Sequence, residues 1–253
     1  IQTQAIKPYA HRVGNFERLH DDNGEFSSVA VNPNPLLSGA NRHVECMDCH
    51  NTHFARGTAR PAQSSNISEM QLGSWGVRPT YSGTPWTSPT SYMPVRFQDT
   101  ATNYEYYLCL KCHSNWSWGT TPPYTTDGTQ ETNIAMEISP ANPAYHNVTG
   151  QPALSVPAES GGSYVSPWTN TSSMACSDCH ASDPSSSVRG PHGSTYNFML
   201  KKPFQAKSGF SGNTGTTGTQ SHLCFDCHDW NTYGSGTGTA TNYTSSRGNL
   251  HLK

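Results

Sequence analysis

The chain of 253 residues is only 33% hydrophobic and 13% charged, holds 22 glycines and 18 prolines, and has a net charge of −2 at neutral pH. That balance is too poor in aliphatic side chains for an ordinary globular core and too weakly charged for a solvated disordered acid or base. No run approaches the about 18 consecutive apolar residues that span a bilayer, and the 15 Lys and Arg form no basic block, which argues against a membrane span and a nucleic-acid face. With no leading Met and no signal-like segment, the sequence reads as a processed form.

In chain order, His11, His20 and His43 precede the first marked element, Cys46-Met-Asp-Cys49-His50, with His53 three residues further on. Segment 73–97 sets Trp75, Tyr81, Trp86, Tyr92 and Phe97 between Pro and Gly. Rigid aromatics of this kind pack against a cofactor edge, another subunit or the chain's own satellite core. Thr102-x-x-Glu105 is a capping-box pattern before Tyr106, Tyr107 and Leu108, and predicts a short helix running into Cys109-Leu-Lys-Cys112-His113. His146 lies midway to the next motif, Cys176-Ser-Asp-Cys179-His180, for which Ser172 is a candidate N-cap. Gly190-Pro-His192-Gly193 follows, then a Gly/Ser/Thr-rich stretch at 208–221. Ser221 is a candidate N-cap for Cys224-Phe-Asp-Cys227-His228, and a second Gly/Ser/Thr-rich stretch at 232–248 leads to His251. The five N-x-S/T sequons are what chance yields in a chain so rich in Asn, Ser and Thr.

All eight cysteines fall in the four copies of C-x-x-C-H. This is the attachment signature of c-type haem: two thiols one short turn apart become thioethers, and the adjacent imidazole faces the iron. A disulfide framework would not place a His after every second Cys, and a thioredoxin-like site needs one pair in a βαβ setting. The spacing therefore predicts four covalent haem c groups. They are bound through Cys46, Cys49, Cys109, Cys112, Cys176, Cys179, Cys224 and Cys227, with His50, His113, His180 and His228 as proximal iron ligands. The expected fold is a multihaem cytochrome c, a single unit over 1–253. It would be mostly coil with a few short helices and little strand (a small hairpin at most), wrapped around four haems that serve as the core. Covalent haem attachment occurs outside the cytoplasm, so a periplasmic or extracellular location follows.

Twelve histidines less four proximal ones leave eight, against six methionines of which Met47 and Met174 lie in or beside a motif. That surplus favours a second His on each iron and hence low potentials. The first candidates for distal ligands are His43, His53, His146 and His192, with His11, His20, His222 and His251 as rivals. His43 and His222 stand just before a motif and would more easily serve a neighbouring haem than their own. His53 is limited by reach: three residues span at most about 10–11 Å, and this segment is already tied to one side of the His50 haem. His53 is thus either a surface histidine or a ligand to a different iron.

Three functions compete. A multihaem reductase would need an open iron position, usually betrayed by an altered motif, and all four motifs are regular. A soluble periplasmic tetrahaem shuttle is compact, whereas this chain spends roughly 63 residues per haem. The third is a conductor. With its four C-x-x-C-H motifs, the C-x-x-C-H-x-x-H from Cys46 to His53, the Gly190-Pro-His192-Gly-Ser pattern and its loop-rich texture, the sequence resembles the extracellular tetrahaem cytochrome filaments, or nanowires, of metal-reducing bacteria, of the OmcE type. That resemblance implies bis-His haems in a continuous chain and a helical homopolymer. It also implies a His of one subunit ligating a haem of the next, at His53 or, as rivals, His20 or His11. The implied partners are further copies of the chain, other redox proteins or extracellular metal oxides, with no nucleic acid and no membrane span. The implied function is long-range electron conduction without bond-making chemistry, at the cell surface after export through the periplasm.

Overall fold

The computed structural model describes residues 2–11, 13, 44–123, 130–143, 146–150, 164–183, 189–204 and 221–230. Helices are short: α1 (Gln2–Ala5), α2 (Cys46–Cys49), α3 (Glu105–Leu110), α4 (Asn115–Trp118) and α5 (Ile134–Glu137). Single 3-10 turns cover Glu69–Gln71, Cys176–Asp178, Asn197–Met199 and Leu223–Asp226. One antiparallel hairpin pairs β1 (Trp75–Thr80) with β2 (Ser91–Arg96), in register Trp75↔Arg96 to Thr80↔Ser91. The mostly coil architecture with little strand matches the composition, whose Gly, Pro, Ser and Asn interrupt every longer element. Among the described residues no helix is long and apolar enough to cross a membrane.

The chain divides into two compact units, one formed by 11–154 and 173–176, the other by 1–10, 155–172 and 177–253. The first has an apolar core that composition did not suggest. Ile67, Val77 and Leu110 are fully buried and Phe97 is 1% exposed, with Trp75, Tyr106, Tyr107, Leu108 and Ala135 packed around them. Burying one such side chain contributes roughly 1.5–3 kcal/mol. In β1 the residues Trp75, Val77 and Pro79 face inward while Arg78 and Thr80 face outward. Gly76 is the exception, because a Cβ there would lie 2.4 Å from the backbone carbon and oxygen of Tyr107. Only glycine lets β1 pack directly on the backbone of α3. The expectation that porphyrins alone form the core is corrected here: Trp75 and Phe97 of the aromatic segment build a protein core.

Local starts also differ from the sequence reading. α3 begins after Tyr104, which makes no side-chain cap hydrogen bond. Thr102 instead folds back on Asp99, whose carboxylate takes the Thr102 amide at 2.7 Å and its hydroxyl at 2.9 Å. An Asx-type turn has outcompeted the capping box, since Asp99 offers an acceptor three residues upstream. Ser172 accepts from the amide of Thr169 at 3.0 Å, so its hydroxyl belongs to the preceding turn. The turn Leu223–Asp226 has His222, not Ser221, as its N-cap.

The second unit is stitched by isolated bridges. Tyr9 pairs with Ser194 through backbone bonds of 3.1 and 2.7 Å, Tyr164 with His228, and His180 with Leu200. α1 approaches the Gly190–Gly193 loop so closely that a Cβ on Gly193 would sit 1.9 Å from the Gln4 carbonyl oxygen. Lys7 donates to Asp183 at 3.0 Å, and Asp183 also accepts from the Thr195 amide at 2.8 Å and from its hydroxyl. The N-terminal segment is therefore a structural part of the C-terminal unit.

Candidate haem and iron sites

Each C-x-x-C-H motif is a single turn, as the chemistry needs. In the first, second and fourth, the His amide donates to the carbonyl of the first Cys at 2.9 Å (His50 to Cys46, His113 to Cys109, His228 to Cys224). This i to i+4 closure is one helical turn, which brings two thiols and one imidazole to the same neighbourhood. In the third, Cys176–Asp178 is a 3-10 turn and the Lys201 amide donates to the Cys179 carbonyl at 3.0 Å.

The imidazoles are oriented from outside the motifs. His50 Nδ1 lies 3.0 Å from the Met70 carbonyl, and His180 Nδ1 lies 2.7 Å from the Phe198 carbonyl. A carbonyl can only accept, so both rings carry their proton on Nδ1 and keep the lone pair on Nε2. That is how iron- and zinc-binding histidines are usually set. Phe198 reaches this position with φ 58°, in the left-handed region a non-glycine residue rarely occupies. His113 Nδ1 stands 3.8 Å from a Glu131 carboxylate oxygen, near but beyond hydrogen-bond distance. His228 packs against the Tyr164 ring at 5.4 Å.

No disulfide joins any two of the eight cysteines. Several of them lie near a cysteine of a different motif. Cys109 hydrogen-bonds Cys176, and that contact, with burial, holds the Cys109 thiol well above its usual range. The ligating atoms of Glu105, Cys109 and Cys176 lie within 4.8 Å of one another. Burial pushes the Cys49 thiol up to about 12, with Lys111 opposing and Asp48, Cys112 and Glu105 adding to the rise. In the other unit, Cys227 is likewise pushed up to about 12, by burial first and by Cys179 next. These sulfurs are neutral at physiological pH, unlike the low-pKa thiolates of catalytic or redox-exchange cysteines. Neutral buried sulfur suits a thioether.

Large apolar side chains stand exposed beside the oriented rings. Met47, Phe54 and Met70 flank the His50 turn, and Phe198 adjoins His180 through its carbonyl. Exposed apolar surface of this kind marks a face that a ligand covers. Thiols, imidazole polarity and apolar surround fit a covalent haem. When bound, that group supplies reversible one-electron chemistry at iron.

The distal candidates fare unevenly. His53 is exposed, and its amide is held by Asn51 Oδ1 at 3.0 Å. His146 is exposed and His192 half-buried beside Gly190. His222 is buried, 7% exposed, at the head of the fourth motif. His43, His20 and His251 lie outside the described residues, as do most of 208–221 and all of 232–248. The structure brings together a pair that spacing did not favour: the His11 and His113 rings stand 6.1 Å apart between centroids, tilted by 43°. Two histidines this close would be able to hold one metal ion between them. No sequence signal marks this pair, since 102 residues separate the two histidines.

Residues 169–232 match a family model described as a doubled CXXCH motif, which spans the third and fourth motifs here. The match points to a multihaem c-type cytochrome. No curated protein and no solved structure matches the chain. The C-x-x-C-H motifs mark covalently bound c-type haem, and the role this suggests is electron transfer.

Proposed function

We propose that the chain is a tetrahaem conductor: one covalent haem c at each of the four motifs, each iron held by two histidines, and subunits joined end to end into an extracellular filament. The observation that carries the reading is the Nδ1 to carbonyl bond of His50 and His180, which fixes the ring proton on Nδ1 and so makes Nε2 the ring nitrogen able to ligate a metal. His50, His113, His180 and His228 are the proximal ligands. His11 joins the distal set as partner of His113, supported by the 6.1 Å approach of their ring centroids. His53, His146 and His192, with His43, complete the candidates. The sulfur pairs Cys109/Cys176 and Cys179/Cys227 support close spacing of neighbouring sites, which rapid electron transfer requires.

Polymerisation rests on the resemblance of the Cys46–His53 segment to the nanowire cytochromes and on the exposure of His53. An end patch binding the opposite end of the next copy gives an open, helical assembly. A net charge of −2 limits repulsion between stacked copies. The reaction is electron relay without bond-making chemistry, between cellular redox proteins and extracellular acceptors such as metal oxides. Negative-stain microscopy with haem quantitation is the test: thin, micrometre-scale fibres carrying four haems per chain are expected. His53→Ala should keep haem attachment but abolish fibres, and normal fibres from that variant would remove His53 from the subunit joint. A monodisperse particle from the wild type would favour the soluble shuttle instead.

A further inference from the structure

The second variable position of each C-x-x-C-H motif has no role in attachment. In the first and second motifs it carries Asp48 and Lys111, opposite charges that are each only 5% exposed. Lys111 Nζ donates to the Asp48 carbonyl at 2.9 Å and stands 3.5 Å from its carboxylate Oδ1. The same ammonium lies 4.6 Å over the Trp75 ring. Asp48 Oδ2 accepts from the Glu45 amide at 2.7 Å, at the start of α2. The two attachment turns, 63 residues apart in the chain, are thus tied by charge inside the core.

Such a pair is a poor source of stability, because desolvating two ions offsets most of their attraction. What it does enforce is register. The ammonium finds its carbonyl, carboxylate and aromatic face together only when α2 sits against the end of α3. It also places fixed charges of both signs beside two iron sites, where low dielectric strengthens their field. We propose that Lys111 and Asp48 form a positioning pair that locks the first attachment turn to the second and sets the local field governing reduction at both. This rests on reading those motifs as haem sites.

The test is a double-mutant cycle on the haem-loaded full chain, read by spectroelectrochemical titration, with haem content measured in every variant. Lys111→Met leaves a lone carboxylate and should shift the affected midpoints downward. Asp48→Asn leaves a lone ammonium and should shift them upward. The double variant should return close to wild type, with its thermal midpoint above that of Lys111→Met. Opposite shifts at unchanged haem content are the expected result; a merely structural strap would move both single variants the same way. Same-sign shifts, or none, overturn the proposal. If Lys111→Met does not fold while the double variant does, the unpaired charge is the cause and the pairing is supported. If neither folds, Asp48→Asn decides alone: an upward shift supports the proposal and an unchanged titration overturns it. A wild-type chain without covalent haem at these motifs would instead overturn the function reading beneath it.

Discussion

The two units solve the same problem, ordering a chain poor in aliphatic residues, by different means. The unit of 11–154 and 173–176 buries Ile67, Val77, Phe97 and Leu110 to 1% exposure or less, behind a hairpin and a helix. Among the described residues of the other unit, the buried apolar side chains are Ala181 and Leu200. That unit relies on backbone bridges at Tyr9, Tyr164 and His180 and on the polar cluster of Lys7, Asp183, Ser194 and Thr195. Polar pins give direction but little net free energy, about 0.5–1.5 kcal/mol for a typical hydrogen bond. Most of the doubled-motif match, all but residues 173–176, falls in this second unit. Where the protein core is thinnest, covalent haem has the most to supply.

The largest expected effect follows from that contrast. Replacing both thiols of the fourth motif (Cys224→Ala with Cys227→Ala) should abolish hydrogen-exchange protection across 164–183 and 189–204. The same change in the first motif (Cys46→Ala with Cys49→Ala) should leave the Trp75–Arg96 hairpin protected. Equal losses in the two cases would break the comparison.

Next comes the protein core itself. Phe97→Ala should cost about 3–5 kcal/mol in denaturant unfolding of the first unit. Gly76→Ala should cost at least about 1–3 kcal/mol, because its Cβ would meet the Tyr107 backbone, which cannot swing aside as a side chain can. An unchanged midpoint for Gly76→Ala would mean the hairpin does not rest on α3.

Acid should act on the second unit. Burial alone would raise the Asp183 carboxyl. Hydrogen bonds from the Thr195 hydroxyl, Lys7, the Thr195 amide and Ser194 outweigh it and hold the group well below the ordinary carboxylate range. A depressed folded value means stability present above the unfolded pKa of about 3.9 and lost as pH falls through the folded one. Undocking of residues 2–10 that begins only below about pH 4 and grows as pH falls toward the depressed folded value, followed by proteolysis, should be absent in Asp183→Asn, which starts undocked. The smallest effect is Tyr92→Phe. It removes a 2.5 Å bond from the hydroxyl, whose pKa burial pushes up to about 12, to Asn115, and should cost about 1 kcal/mol.

Sequence reading was strongest where chemistry is local. Two thiols and an imidazole within five residues define an attachment turn whatever surrounds it, and three of the four motifs close with the same 2.9 Å bond. It failed at Thr102, where a competing acceptor at Asp99 was equally local but was not weighed. It failed again at the core, because 33% hydrophobic content conceals how unevenly those residues are distributed: Ile67, the hairpin and α3 converge while other stretches hold almost none.

By itself the sequence determined the number of C-x-x-C-H motifs, the haem chemistry they mark and the loop-rich texture, because each depends on residue identity and short spacing. Tertiary structure alone decided that Met70 and Phe198 orient His50 and His180, that His11 approaches His113, and that Asp48 meets Lys111. These are contacts between segments 18 to 102 residues apart. Their free energy is won only after the chain has closed the intervening loops, so no local pattern has to announce them.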